Sequence, residues 1–231
     1  KKDAKVSAVV TTMFPTIEVI KKAIELNANF IIAHEPTFYN HADSLDWISN
    51  NEVQQKKLQL LNENNITVWR AHDCWHALQP DGIIYGVIKK LKWSKYYSGE
   101  GTTINIPSTS LKNLIKHFKT HFGIPQLRVT GKPDHLCQKI SILPGAWGGQ
   151  LQISTIINEQ PDVIVVGELS EWETAEYVRD ANLMGSAISL VILGHSVSEE
   201  PGMEWMAEWL QPKIPGISVT HISSNNPFSW I

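Results

Sequence analysis

The sequence predicts an α/β fold of two similar halves with largely parallel sheets, joined by a smaller bridging segment, with a metal site at the interface of the halves. Three observations predict it. Apolar runs of strand length alternate with stretches of helical spacing. That alternation breaks near residue 93 and restarts near residue 137, giving halves at 1 to 92 and 137 to 231 and a bridge at 93 to 136. Finally, three short clusters of histidine and carboxylate each follow an apolar run, and strand ends place such loops at one edge of a parallel sheet.

The elements follow in order. Residues 5 to 11 read as a strand, and 15 to 27 as a helix with Ile17, Ile20, Ala23 and Ile24 near helical spacing and Pro15 in its first turn. A strand to about 33, a helix within 43 to 64, a strand to about 71 and a helix over 81 to 92 complete the first half. The bridge holds a strand-like Thr102 to Ile106, a helix over 108 to 122 with Ser108 as N-cap, and a short β-like Gln126 to Val129. The turn residues Gly131, Lys132, Pro133 and Asp134 close it. The second half reads as strand 138 to 143, helix 150 to 159, strand 162 to 166, helix 171 to 183, strand 187 to 193, helix 201 to 211 and strand 217 to 222.

Composition narrows the function. The 231 residues are 42 % hydrophobic and 19 % charged, with a net charge of −3, which is ordinary for a globular protein. No basic run points to nucleic acid or an anionic membrane, and no apolar stretch reaches the ~18 residues of a membrane-spanning helix. Cys74 and Cys137 form no CxxC, and a disulfide framework is not expected at this length. The chain opens Lys1-Lys2-Asp3-Ala4 without an initiator Met, so its compartment stays open.

The chemistry sits in AHEP at 33 to 36, AHDCWH at 71 to 76 and GHSVSE at 194 to 199. Imidazole nitrogen with carboxylate oxygen is a ligand set for zinc, manganese, iron or nickel. His34 and Glu35 lie past a strand end, where both side chains can reach one ion; the competing reading is a loop hydrogen bond and a solvated carboxylate. His72 and His76 are four apart, a spacing that one helical turn places on one face, although Pro80 argues against a full helix and Asp73 also suits a turn. His195 follows a strand, and Glu199 stands where Glu200-Pro201 reads as a helix start, a position that favours a carboxylate in any case. Clustering of all three groups at strand ends makes a metal centre the stronger reading. PGAWGG at 144 to 149 reads as a tight strand–helix turn, with a phosphate-binding turn at a helix N-terminus as the alternative, and His117 with His121 as surface residues.

The order and spacing of AHEPTF, AHDCWHALQPDG, LRVTGKPD, LPGAWGG, GELSEW and GHSVSE, over nearly the whole chain, resemble the NGG-interacting-factor-three-like family. These are also called dinuclear-metal-centre hexameric proteins, and some relatives carry the name of a type 2 GTP cyclohydrolase 1. The family motifs SHHPLIF and AHTNLDAAPGG lie opposite the first two. The resemblance implies metal ligation by His34, Glu35, His72, His76, His195 and Glu199, with one family histidine replaced by Glu35 and one family aspartate replaced by His76. The five principal ligands by that resemblance, His34, Glu35, His76, His195 and Glu199, remain three histidines and two carboxylates, so metal binding is expected, with one or two ions per chain. It also implies a toroidal homohexamer and, for the main family, a cytoplasmic location; an exported variant is the alternative.

Two functions compete. One is a metal-dependent hydrolase of a small phosphorylated or heterocyclic, nucleotide-like substrate, with Glu35, Asp73 or Glu168 as general base. The other is a hexameric metal-binding assembly or interaction protein with little catalysis. A third reading leaves the histidines as packing or surface residues without metal.

Overall fold

The computed structural model describes residues 5–229 and 231, so the opening Lys1-Lys2-Asp3-Ala4 lies outside the described residues. The architecture is mixed α/β with parallel-rich sheets. The strands are β1 Ala8–Thr12, β2 Phe30–Ala33, β3 Thr67–Arg70, β4 Thr103–Ser110, β5 Arg128–Thr130, β6 Leu136–Leu143, β7 Val163–Val166, β8 Ser189–Ile192 and β9 Ser218–His221. The α-helices are α1 Ile17–Glu25, α2 Glu52–Glu63, α3 His72–His76, α4 Gly82–Lys90, α5 Leu111–Phe122, α6 Gly149–Glu159, α7 Glu176–Leu183 and α8 His195–Leu210. No helix among the described residues is long and apolar enough to cross a membrane.

The chain divides into two units. One takes the chain to Leu78 together with Gly202–Asn225; the other takes Gln79–Pro201 and the residues from Asn226. The first unit holds a parallel sheet in the order β3-β2-β1-β9. Its C-terminal strand returns to pair with the first, Val9 opposite Val219, which is why this unit is not a continuous stretch of sequence. Val10, Val19, Ile20, Ala23, Ile31 and Leu61 form the core under α1 and α2. Thr16 caps α1 by accepting from the Val19 N–H, and Asn51 caps α2 in the same way for Val53 and Gln54.

The second unit holds a mixed sheet in the order β4-β6-β7-β8-β5, with β6, β7 and β8 parallel and both outer strands antiparallel. Both faces of its central strands are buried. Val163, Val165 and Val191 pack on one side with α4 and α5, whereas Ile164, Val166 and Leu190 pack on the other with Ile156 and Val178. Continuous apolar strands are the expected signature of such a sheet. Each fully buried aliphatic side chain contributes about 1.5–3 kcal/mol of transfer free energy.

Three local readings change. Ser110, not Ser108, caps α5, because β4 continues through Thr109 opposite Cys137 before the helix starts. The helix expected over 201 to 211 begins at His195 and carries Pro201 inside it, since Gly194 at φ +95° turns the chain from strand to helix at once. The helix expected over 171 to 183 opens with a π-helical turn, Glu171–Ala175.

Candidate metal centre

In the first unit the sheet presents His34 and Glu35 at its C-terminal edge. The His34 and Glu35 N–H groups donate to the carbonyls of Thr12 (3.1 Å) and Met13 (3.0 Å), so parallel pairing with β1 continues past the end of β2 and fixes both backbones. The following loop is held by Asp43, whose carboxylate accepts from the Thr37 and Phe38 N–H groups, and by Lys57, whose ammonium donates to the Thr37 carbonyl beneath the rings of Phe38 and Tyr39. Burial pushes the Lys57 amine down to about 8, with Asp43 opposing the shift.

Directly after β3, the Ala71 N–H donates to the Ala33 carbonyl and α3 begins, placing His72 and His76 one turn apart. Trp75 anchors this short helix. It is buried, donates its indole N–H to the Gly202 carbonyl (3.2 Å), and packs against the rings of Trp205 and Trp209 at centroid distances of 5.0 and 5.3 Å. A five-residue helix has too few backbone bonds to persist alone, so tertiary packing through Trp75 decides its orientation.

The result is a trihistidine cluster. His34 is fully buried, its ring stacks on His72 at 4.5 Å and meets His76 at 5.1 Å, and His72 and His76 are 4.8 Å apart. One ligand nitrogen from each lies within 4.8 Å of the others. On His72, Nδ1 faces the Asp73 carboxylate at 2.8 Å, and Nε2 lies 3.8 Å from Glu35. Burial holds the His72 pKa below the usual imidazole value, the Asp73 bond opposes that shift, and the neighbouring His34 and His76 add to it. A neutral imidazole is the metal-ligating form, so the donor set and the direction of the His72 shift both fit a divalent ion. Asp73, almost wholly exposed, has its own pKa lowered by the hydrogen bond to His72.

The second unit builds its own His/Glu group. The Gly194 N–H donates to the Gly167 carbonyl (2.8 Å), and the Glu168 N–H to the Gly145 carbonyl (3.0 Å), so the loops after β6, β7 and β8 interlock. His195 is the first residue of α8 and Glu199 sits one turn further, rather than at or before a cap. His195 Nε2 lies 3.0 Å from the Glu199 carboxylate and Nδ1 lies 3.4 Å from Glu168. Ser198 fixes the turn, donating to the His195 carbonyl while accepting from the Gly145 N–H. A side chain at Gly145 would put Cβ 2.2 Å from Glu199 Oε1, at a φ of +72°, so PGAWGG is the tight turn expected and a seat for Glu199.

Each candidate residue therefore has a place. Asp73, His34, Glu35, His72 and His76 gather in the first unit, and Glu168, His195 and Glu199 in the second. Sequence reasoning missed His41, whose ring lies 6.5 Å from His72, and Arg70, whose guanidinium donates to the His41 carbonyl. Arg70 ends β3 immediately before AHD, so the strand-end rule that found His72 applied to it as well. His117 and His121 are half-buried rather than fully exposed: His117 stacks on Trp93 at 5.2 Å with Nε2 on the Leu91 carbonyl, where the loop after α4 meets α5, and His121 Nδ1 sits on the His117 carbonyl.

The chain matches the model of the family described as Duf34/NIF3 (NGG1p interacting factor 3) over residues 1–227. It is 27 % identical to a GTP cyclohydrolase 1 type 2 homolog of Clostridium acetobutylicum, covering 97 % of this chain and 85 % of that one. A protein of the same name from Chlamydia pneumoniae is 26 % identical over 92 % of this chain and 82 % of its own. Among solved structures, a Staphylococcus aureus protein superposes with a TM-score of 0.78 at 18 % identity, covering 100 % of this chain and 90 % of the other. A Bacillus cereus protein related to NIF3 gives 0.77 at 16 % identity, covering 99 % and 90 %. At such identities these two likenesses speak to the fold alone.

Proposed function

The chain belongs to the Duf34/NIF3 family, and on that premise we propose that it is a metal-dependent hydrolase of a small phosphorylated or heterocyclic, nucleotide-like substrate. The observation that carries the reading is the trihistidine cluster, three imidazoles within ligating reach of one another, with the His72 pKa lowered towards the ligating form. The name of its relatives, GTP cyclohydrolase 1 type 2 homolog, supports a nucleotide-like substrate.

His34, His72 and His76 would hold the ion, zinc, manganese, iron or nickel, and the family resemblance implies ligation by Glu35 in the same unit and by His195 and Glu199 in the second unit. When bound, a divalent ion would supply Lewis acidity to a phosphoryl oxygen or a ring heteroatom, activating the attached phosphorus or carbon, and would lower the pKa of bound water. Of the candidate bases, Asp73 and Glu168 each face an imidazole Nδ1, whereas Glu35 lies towards Nε2 of His72, the ligating side. Glu35 is therefore the residue best placed to take a proton from a nucleophile, and Asp73 and Glu168 serve to orient their histidines.

The test is a screen of nucleotides and phosphoesters with metal-reconstituted protein beside His34→Ala. Metal-dependent turnover that the variant lacks supports the hydrolase. Tight metal binding without turnover on any substrate favours the second reading, a homohexameric metal-binding assembly. The exposed Trp172, Leu183 and Met184 offer apolar area for such contacts, and six chains per particle in native mass spectrometry would support it.

A further inference from the structure

We propose that the buried pair Gln152 and Thr174 positions Glu168, whose carboxylate then holds His195 through Nδ1 and leaves Nε2 as the metal-ligating nitrogen. The proposal rests on the metal-binding reading above and assigns roles to two residues outside every His/carboxylate cluster.

Gln152 and Thr174 are both fully buried. Thr174 Oγ1 donates to Gln152 Oε1 at 2.6 Å, and Gln152 Nε2 donates to the Glu168 carbonyl at 3.0 Å. On the other side of the same residue, the Glu168 N–H donates to the Gly145 carbonyl at 3.0 Å. The backbone of Glu168 is thus clamped at both its polar groups. Its side chain is 56 % exposed and packing alone does not select a rotamer, yet Oε2 lies 3.4 Å from His195 Nδ1. Fixing the backbone restricts where that carboxylate can reach.

Burying an amide is unfavourable by about 1–3 kcal/mol unless its donors and acceptor are used. Gln152 uses both ends, one on Thr174 and one on Glu168. Thr174 meets it from the π-helical turn Glu171–Ala175. One extra residue in a helix rotates the preceding side chains by about 100°, and π turns often mark functional sites. The same turn packs closely on the start of α6, since a Cβ at Gly149 would lie 2.5 Å from Glu173 Oε2. A carboxylate on the outer nitrogen of a ligating histidine sets its tautomer and raises its basicity.

The experiment compares Glu168→Gln, Thr174→Val and Thr174→Ser with wild type. Zn(II) affinity is measured by competition with a chromophoric chelator, and the His195 imidazole by long-range 1H–15N NMR in Zn(II)-loaded and metal-free protein. Glu168→Gln is expected to weaken Zn(II) binding about 10–100-fold. Thr174→Val should weaken it by less, and Thr174→Ser, which keeps the hydroxyl, should restore it. The His195 Nδ1 resonance should move in Glu168→Gln and Thr174→Val and return in Thr174→Ser. Wild-type affinity with an unmoved His195 resonance in Thr174→Val, whatever Glu168→Gln does, overturns the proposal. A wild type that binds no Zn(II) overturns the metal reading instead, and the metal-free spectra then decide the positioning by themselves.

Discussion

The two His/carboxylate clusters use one pattern with different support. In each, an outer carboxylate faces imidazole Nδ1 and an inner one lies towards Nε2: Asp73, His72 and Glu35 in the first unit, Glu168, His195 and Glu199 in the second. The first takes its outer carboxylate from the adjacent residue, at 2.8 Å but almost wholly exposed to water. The second takes it from 27 residues away (195 − 168), through a backbone clamped by buried polar groups. Rigidity in the first cluster comes instead from Trp75, a single aromatic anchor between its two helical histidines. Local chemistry can supply a partner, but only tertiary packing can supply orientation.

The largest effects are expected at those anchors. Trp75→Ala should destabilise the first unit by about 3–5 kcal/mol, by the lost packing of a large buried aromatic, read as a drop in the urea midpoint at unchanged slope. Trp75→Phe, which keeps the ring and loses the bond to Gly202, should retain most of the stability. The matching change in the second unit is Gly145→Ala, where the new Cβ meets Glu199 and the backbone is left-handed. It should cost about 1–3 kcal/mol, and lose metal affinity more than Trp75→Phe does.

The pH dependence sharpens the contrast further. With the folded His72 pKa held below its ordinary value, the unfolded chain takes up the proton first as pH falls. This histidine's contribution to the stability of metal-free protein is therefore present above about pH 6.5 and lost as pH falls through the folded pKa. Urea titrations from pH 8 to pH 5 should show a steeper loss below about 6.5 in wild type than in His72→Gln. Equal slopes would mean that burial does not set the His72 pKa. The smallest effect is expected for Asp73→Asn. It should weaken Zn(II) binding only slightly, and the difference from wild type should shrink as salt is added, because an exposed pair is screened.

Much of this was legible in the sequence. The alternation of apolar runs places most elements within a few residues, and His34, His72 and His195 stand just past β2, β3 and β8, as the strand-end rule requires. What stayed hidden depends on distant partners. The pairing of Ser218–His221 with β1 has no local signature, so the contact units are drawn differently from the sequence halves. Pro201 pointed to a helix start, yet Gly194 let the helix begin a turn and a half earlier and put Glu199 inside it. Gln152 and Thr174 carry no motif, since their role exists only once α6 and the π turn meet.

The most direct test of the account is the metal content of protein purified without chelators or affinity-tag metal, beside a His34→Ala/His76→Ala variant, by inductively coupled plasma mass spectrometry. About one or two equivalents of a divalent transition metal per chain are expected in wild type, with a near-complete loss in the variant. Equal metal in both, or none in wild type even after reconstitution, would contradict it.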